Sequence, residues 1–208
     1  KPQAKFATEY MDKTYKTNTI DAMVTYDIDE IRENYEKLTK ILSENHTKVN
    51  NPKFDIEKEE EKTKLSIESA VKKLNNIPVS VSNSAAIRPF TLAKALLKYG
   101  FNVTEVIAQK AIPSDKDAYQ YILSNHPDIK IIQPAHHKNA VRLNKDTHMI
   151  AIGFEGAYLR QSDYVVTLSA DEEMYGYHGV RRLMDMLEKS IEEKADLKKM
   201  IDEYGAVV

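Results

Sequence analysis

The stretch IPVSVSNSAAIRPFTLAKALLKYGFNVTEVIA, residues 77–108, decides the fold of this chain. It opens with the apolar run IPVSVSN, which is typical of a buried strand, and it closes with a second such run, FNVTEVIA. Between them, Pro89 and Gly100 bound a run of helix-forming residues, because proline suits the first turn of a helix and glycine its end. The pattern therefore predicts a strand, a helix and a second strand in succession.

The same alternation continues toward the end of the chain. Strand-like runs recur as DIKIIQP, HMIAIGF and DYVVTLS. Helices are predicted at SDKDAYQYILSN, near residues 138–143, and from about residue 179 to residue 204. This alternation is typical of an open, mostly parallel α/β sheet with right-handed crossovers. Because such sheets bind ligands beyond the carboxyl ends of their strands, the loops after the strands are the candidate site.

The upstream part of the chain does not show this alternation of strands and helices. Residues 1–76 are predicted to form an N-terminal segment with two helices, ahead of an α/β domain at residues 77–208. Weak periodicity in residues 1–18 favours extended or irregular structure there. The run DIDE fits a capping box at the start of the first helix. The second helix is predicted at about residues 55–74, with a charged, solvated face.

The composition restricts the classes of function. A chain of 208 residues with 42% apolar and 30% charged residues is typical of a globular domain. A net charge of −2 does not indicate the basic surface that binds nucleic acid. No apolar run reaches the roughly 20 residues of a membrane-spanning helix. The sequence has no cysteine, which excludes disulfides and thiolate ligands within it. Its start, KPQAKF, has no initiator Met, which predicts a piece of a longer chain, and it does not resemble an apolar secretory segment, so we predict a cytoplasmic protein.

The loop after the first strand carries the leading candidates. Its small residues let a ligand approach the backbone, and the N–H groups of the following helix favour an anion. The candidates are Asn83, Ser84, Ala85 and Ala86, followed by Arg88 at the helix start. Arg88 either binds a ligand or forms a surface ion pair. The chain contains neither G-x-G-x-x-G nor G-x-x-x-x-G-K-[ST], so the pattern does not indicate a dinucleotide or P-loop site.

Two later loops carry further candidates. The loop QPAHHK places His136, His137 and Lys138 where they could meet an acidic ligand group, although adjacent histidines alone make a poor metal chelate. The loop ADEEMYGYHG follows the last strand; ADEE is expected to be solvated, and the glycines allow a sharp turn into the helix. There Tyr177 can lay its ring across the turn, and His178 is either a cleft residue or an exposed turn residue.

Two segments also carry a family resemblance. AAIRPFTLAKALLKYGFNV, residues 85–103, has a small-small-aliphatic-Arg-Pro turn that opens a helix ending at glycine. IAIGFEGAYLRQSDYVVTLSADEEMYGYHGVRRLMDMLEKSI, residues 150–191, has an Ile-Gly-Phe strand and an aromatic-Gly-Tyr-x-Gly turn entering a long helix. Both segments are similar to nitrogenase component 1 subunits, and HPDIKIIQPAHHK fits between them. The likeness covers roughly residues 77–195.

This resemblance implies the last of three Rossmann-like domains in an oxidoreductase subunit. It implies that Arg88 lies against a metal cofactor and that the loop at residues 136–138 approaches the organic acid of that cofactor. It also implies upstream domains of the same chain, a homologous second subunit and an iron protein-type electron donor. No cofactor is expected in this part alone, which should be inactive by itself. An iron–sulfur cluster or metallocofactor is expected in the full-length protein.

Several functions remain open at this point. YVVTLSADEE lacks the histidine ligand of the molybdenum–iron protein, which favours a nitrogenase-like reductase or a cofactor-assembly scaffold over a nitrogenase catalytic subunit. The second hypothesis is a non-enzymatic α/β ligand-binding lobe, similar to metal or cobalamin solute-binding proteins. The third is a structural subunit whose loops do no chemistry.

Overall fold

The computed structural model describes residues 5–17, 19–20, 22–44, 55–135, 145–146 and 148–204. The strands within them are β1 (Val79–Ser82), β2 (Val103–Ile107), β3 (Lys130–Ile132), β4 (Ile150–Ile152) and β5 (Tyr164–Val166). The helices are α1 (Lys5–Tyr15), α2 (Ile28–Glu44), α3 (Ile56–Leu74), α4 (Pro89–Tyr99), α5 (Lys116–Asn125), α6 (Phe154–Arg160), α7 (Gly176–Ser190) and α8 (Leu197–Tyr204), with a short 3-10 helix at Pro113–Asp115. Among these helices, none combines the length and the apolar character that a bilayer-spanning helix needs.

The five strands form one parallel sheet in the order β3-β2-β1-β4-β5. Central strand β1 pairs on both sides, with Val81 opposite Val106 of β2 and Ile152 of β4. All of β1 is buried, its two valines and also its two serines, Ser80 and Ser82, as expected of a central parallel strand covered on both faces. The order of strands reverses between β1 and β4, so this is the switch point of the sheet. The predicted open Rossmann-like α/β fold is confirmed.

Helix α4 forms where the sequence predicts it. Pro89 is its first residue, and Gly100 follows its last residue with φ of 93°, the left-handed conformation that glycine tolerates. The Gly100 and Phe101 N–H groups donate to the Leu97 and Leu96 carbonyls at 3.0 Å each, which satisfies the end of the helix. The chain then enters β2 directly.

Helices α2, α3 and α7 pack against one another, and α7 also packs on β5. On α7, the residues Val180, Leu183, Met184 and Leu187 form a buried apolar stripe. The facing buried residues of α3 are Ile67, Ala70 and Leu74. Each large apolar side chain buried here contributes roughly 1.5–3 kcal/mol. The upstream helices thus share one apolar cluster with the sheet, and the predicted division at residue 77 stays a prediction.

Two predictions about helices are wrong. The single helix predicted from about residue 179 to residue 204 is two helices, α7 and α8, with a break after Ser190. The break is stabilised because the Ala195 N–H donates to the Asp163 carbonyl at 2.7 Å and Lys194 pairs with the Asp163 carboxylate. Residues 5–15, predicted as extended or irregular, form α1. Its large apolar side chains are exposed, so burial leaves no periodic signal in the sequence.

A carboxylate on α3 joins the three packed helices. Glu60 accepts hydrogen bonds from Arg32 Nε at 2.6 Å, Lys64 Nζ at 2.7 Å and the Tyr177 hydroxyl at 3.1 Å. The Arg32 guanidinium, with the Lys64 ammonium and the Tyr177 hydroxyl, lowers the pKa of Glu60 to about 2, although burial opposes this shift. The charged form of Glu60 therefore stabilises the folded state.

We expect Glu60 to contribute to acid unfolding. Its folded pKa lies below the ordinary value of 4.5, so its contribution to stability is complete above about pH 4.5 and is lost as the pH falls toward 2. Urea unfolding between about pH 6 and pH 2 should show a smaller loss of free energy for Glu60→Gln than for the wild type. Glu61→Gln, at an exposed position, should follow the wild type. Equal pH slopes for wild type and Glu60→Gln would contradict this prediction.

Candidate functional site

The turn between β1 and α4 places Arg88 at the carboxyl edge of the sheet. Arg88 precedes Pro89 and is the residue that caps α4, with extended φ of −119°. Its side chain is half-buried, and Nη2 donates to the backbone carbonyl of Val24. The guanidinium therefore turns toward the upstream segment that crosses this edge, and it does not point into bulk solvent.

Arg88 lines a cleft of about 590 Å³, within the range of small-molecule sites. The walls of the cleft are residues 22–24, Ile87 and Arg88, the loop 169–173 and Tyr175. We call the upstream segment, residues 22–27, the strap. The lining combines apolar side chains with Arg88 and with the carboxylates Asp171, Glu172 and Glu173, so among the described residues that line the cleft Arg88 is the cation that could orient an anionic ligand.

The loop after β5 is fastened to the turn after β1 by Asp171. Its carboxylate accepts the Ile87 N–H at 2.9 Å and the Tyr26 hydroxyl at 2.7 Å, and its own N–H donates to the Ala85 carbonyl. Burial, followed by the Asp171 charge, raises the pKa of Tyr26 far above its usual range, so the phenol remains the donor. Ala170, Asp171 and Glu173 have positive φ of 46°, 60° and 59°, a strain that these contacts must offset.

The start of α4 is occupied by another carboxylate of the same chain. Asp115 is 1% exposed and accepts the Phe90 N–H at 3.0 Å, the Thr91 N–H at 2.7 Å and the Thr91 hydroxyl at 2.6 Å. Burial raises the pKa of Asp115, against the effect of these donors. In many α/β proteins the start of the helix after the first strand binds phosphate. Here Asp115 satisfies the same donors internally.

The switch point between β1 and β4 is closed by direct packing. Gly153 has φ of 93°, and a Cβ there would lie 2.2 Å from Ser82 Oγ and 2.7 Å from Ser84 Oγ. Above them the Asn83 amide, oriented to satisfy its neighbours, donates to Glu155 Oε2 at 2.6 Å. Burial raises the pKa of Glu155, although the Ser84 N–H opposes this shift. The open space therefore lies beside the switch point, under the strap.

The predicted site residues fall in different places. Arg88 lines the cleft, whereas Asn83 and Ser84 lie at the closed switch point. Ala85 and Ala86 are fully buried beneath the turn, Tyr177 is buried, and His178 is exposed on α7. Tyr177 stacks on Tyr35, with their ring centroids 5.7 Å apart. His136, His137 and Lys138, with the short helix predicted near residues 138–143, lie outside the described residues.

Sequence reasoning missed three parts of this site. The strap has no motif, because its contacts are made with residues far along the chain. Asp171 belongs to the run ADEE, which looks solvated, yet its side chain is buried. Tyr175 stands two positions before Tyr177; its ring is 71% exposed, and it lines the cleft. An aromatic residue immediately before the first glycine of that turn was the available signal.

No family model matches the chain, and no curated protein matches its sequence. Within the described residues, no group of three or more histidines, cysteines, aspartates or glutamates could hold a metal ion.

Proposed function

We propose that this chain is the C-terminal, Rossmann-like domain of a cytoplasmic nitrogenase component 1-like oxidoreductase subunit, and that it contributes one wall of a cofactor or substrate cleft. The observation that carries the proposal is the position of Arg88. The Arg-Pro turn, on which the family resemblance rests, lines a 590 Å³ cleft at the carboxyl edge of the parallel sheet. Ligands of open α/β sheets bind at this edge.

The contribution of this chain is binding and orientation. Arg88 would donate a charge-assisted hydrogen bond to an acceptor on the ligand, and the apolar residues Met23 and Ile87 would exclude water around it. Asp171 keeps the turn in place from below. The ligand set of an iron–sulfur cluster or metallocofactor would come from upstream domains of the same chain. Electrons would come from an iron protein-type donor, and a homologous second subunit would complete the assembly.

The proposal is tested on the native polypeptide, isolated without oxygen. Iron and acid-labile sulfide should be present in stoichiometric amounts, and a low-potential donor should reduce the bound cluster. A cluster-loaded protein that transfers its cluster but reduces no substrate would favour the assembly scaffold. An iron-free protein that binds a ligand without redox change would overturn the proposal in favour of the ligand-binding lobe.

Arg88→Ala should lower the amount of copurifying cofactor or chromophore at least tenfold. The reason is that a hydrogen bond from a charged donor is worth roughly 1.5–3 kcal/mol. Arg88→Lys should lose part of this amount, because lysine keeps the charge but not the forked geometry. Lys110→Ala is the control, since Lys110 is an exposed cation in another loop of the same edge, outside the cleft lining. An unchanged amount of copurifying cofactor or chromophore in Arg88→Ala would show that Arg88 does not bind the ligand.

A further inference from the structure

The cleft has a second, apolar cavity behind the strap. This cavity has a volume of about 250 Å³. It is lined mainly by Ile31, Tyr35 and Leu38 of α2, by Ile20 and by residues 22–25. Ala22, Met23, Val24 and Tyr175 line both this apolar cavity and the cleft. Residues 22–24 are therefore a thin wall with open space on two sides.

The two halves of the strap are held very differently. Thr25, Tyr26 and Asp27 are buried: Asp27 pairs with Lys98 at 2.7 Å, and the Tyr26 carbonyl accepts the Tyr99 hydroxyl. Residues 22–24 are exposed or half-buried. Within the described part of the chain, the hydrogen bond that fastens them to another element is the one from Arg88 to Val24. The strap thus has a fixed half and a half held chiefly by the proposed ligand-binding residue.

We propose that residues 22–24 are a displaceable wall, and that a ligand with an apolar ring body and one anionic group opens it. The anionic group takes the place of the Val24 carbonyl on Arg88, and the ring body occupies the space that the two cavities then share. The inference rests on the proposed function of the cleft, and it names the ligand class and the gate of that site.

The described lining of the cleft carries one guanidinium and three carboxylates, so it can pair with one anionic group and not with several. Asp171 already accepts the Ile87 N–H and the Tyr26 hydroxyl, and Glu173 pairs with Arg182. These two carboxylates are held by protein donors, whereas Glu172 is exposed on the wall of the cleft, and all three repel further negative charge. The neutral Val24 carbonyl is also a poorer partner for Arg88 than an anion, because a hydrogen bond between two ionised groups is stronger than one to a neutral acceptor. We therefore expect an anion to compete with the Val24 carbonyl for the guanidinium of Arg88.

Anilinonaphthalene sulfonate, which has apolar rings and one sulfonate, is a direct probe of this site in the chain of 208 residues. We expect saturating dye to speed hydrogen exchange at the amides of residues 22–24 about tenfold, while the amides of α4 keep their rates. Arg88→Ala should weaken dye binding about tenfold, and Lys110→Ala should not change it. Met23→Ala removes a side chain from the wall between the cavities, so it should strengthen binding.

These experiments test the displaceable wall independently of the proposed function. Slower or unchanged exchange at residues 22–24 on dye binding would overturn the displaceable wall, as would equal dye affinity of Arg88→Ala and wild type. If Arg88→Ala loses its near-ultraviolet circular dichroism and has not folded, the exchange data and Met23→Ala decide. None of these measurements needs iron or an electron donor. An iron-free native protein would therefore overturn the proposed function without touching this result.

Discussion

Arg160→Met is expected to lower the free energy of unfolding by about 3 kcal/mol. Arg160 ends α6 and donates from Nε to both carboxylate oxygens of Glu105, at 3.1 Å each, and from Nη2 to one of them. Glu105 is 1% exposed and Arg160 is 7% exposed. Methionine at position 160 therefore leaves the Glu105 carboxylate buried without the guanidinium that neutralises it. A cavity of about 450 Å³ beside the pair admits water, which places the loss at the lower end of the usual range.

The double variant Glu105→Leu/Arg160→Met should be more stable than either single variant. Arg160→Met leaves the buried Glu105 carboxylate without the guanidinium, and Glu105→Leu removes the buried carboxylate that the guanidinium contacts, whereas the double change removes both charges. Urea unfolding of the four proteins measures this coupling. Lys194→Met is the matched control, because Lys194 is 72% exposed in its pair with Asp163 and should contribute less than about 1 kcal/mol. A double variant as unstable as the sum of the singles would contradict the coupling.

The sheet could be predicted because its signals are local. β1 carries β-branched valines between small serines, a pattern typical of a strand, and α4 is bounded by Pro89 and Gly100. An ion pair between residues that are distant in the sequence leaves no local pattern that could predict it. Glu105 interrupts the apolar run of β2, and Arg160 looks like the solvated end of a helix. Their contact, between residues 55 positions apart, exists only once α6 packs over β1 and β4.

The candidate site could be predicted only in part, for the same reason. The Arg-Pro turn is a local pattern, and its position after the first strand already placed Arg88 at the ligand-binding edge. The positions of the strap and of Asp171 depend on tertiary packing, since Tyr26 reaches Asp171 across 145 positions of sequence. The local pattern of the YGYHG turn predicted Tyr177 as a site residue. Its ring is buried against Tyr35 and does not line the cleft.

These contacts also explain why the cleft lies beside the switch point and not on it. Asp115 satisfies the first N–H groups of α4, and Asp171 satisfies the N–H of Ile87. Gly153 and the serines of β1 close the crevice itself. The proposed anionic ligand would therefore bind the guanidinium of Arg88, in place of the Val24 carbonyl that the strap supplies. The position of the site follows from which donors the chain has already satisfied.

Asp115→Ala is expected to lower the free energy of unfolding by about 3 kcal/mol, because it leaves the buried N–H groups of Phe90 and Thr91 and the Thr91 hydroxyl without their acceptor. Asp115→Asn should lose less, since the amide oxygen can still accept from one donor. Thermal and urea unfolding measure both losses.

Asp55→Ala is the matched control for this prediction. Asp55 also caps a helix, α3, by accepting the Lys58 N–H at 3.0 Å, but it is exposed. Water can replace its carboxylate there, so the loss should be about 1 kcal/mol. Equal losses at Asp55 and Asp115 would mean that Asp115 acts only as an ordinary helix cap. A larger loss at Asp115 would support the view that the chain fills its own anion position, which leaves Arg88 to receive the ligand.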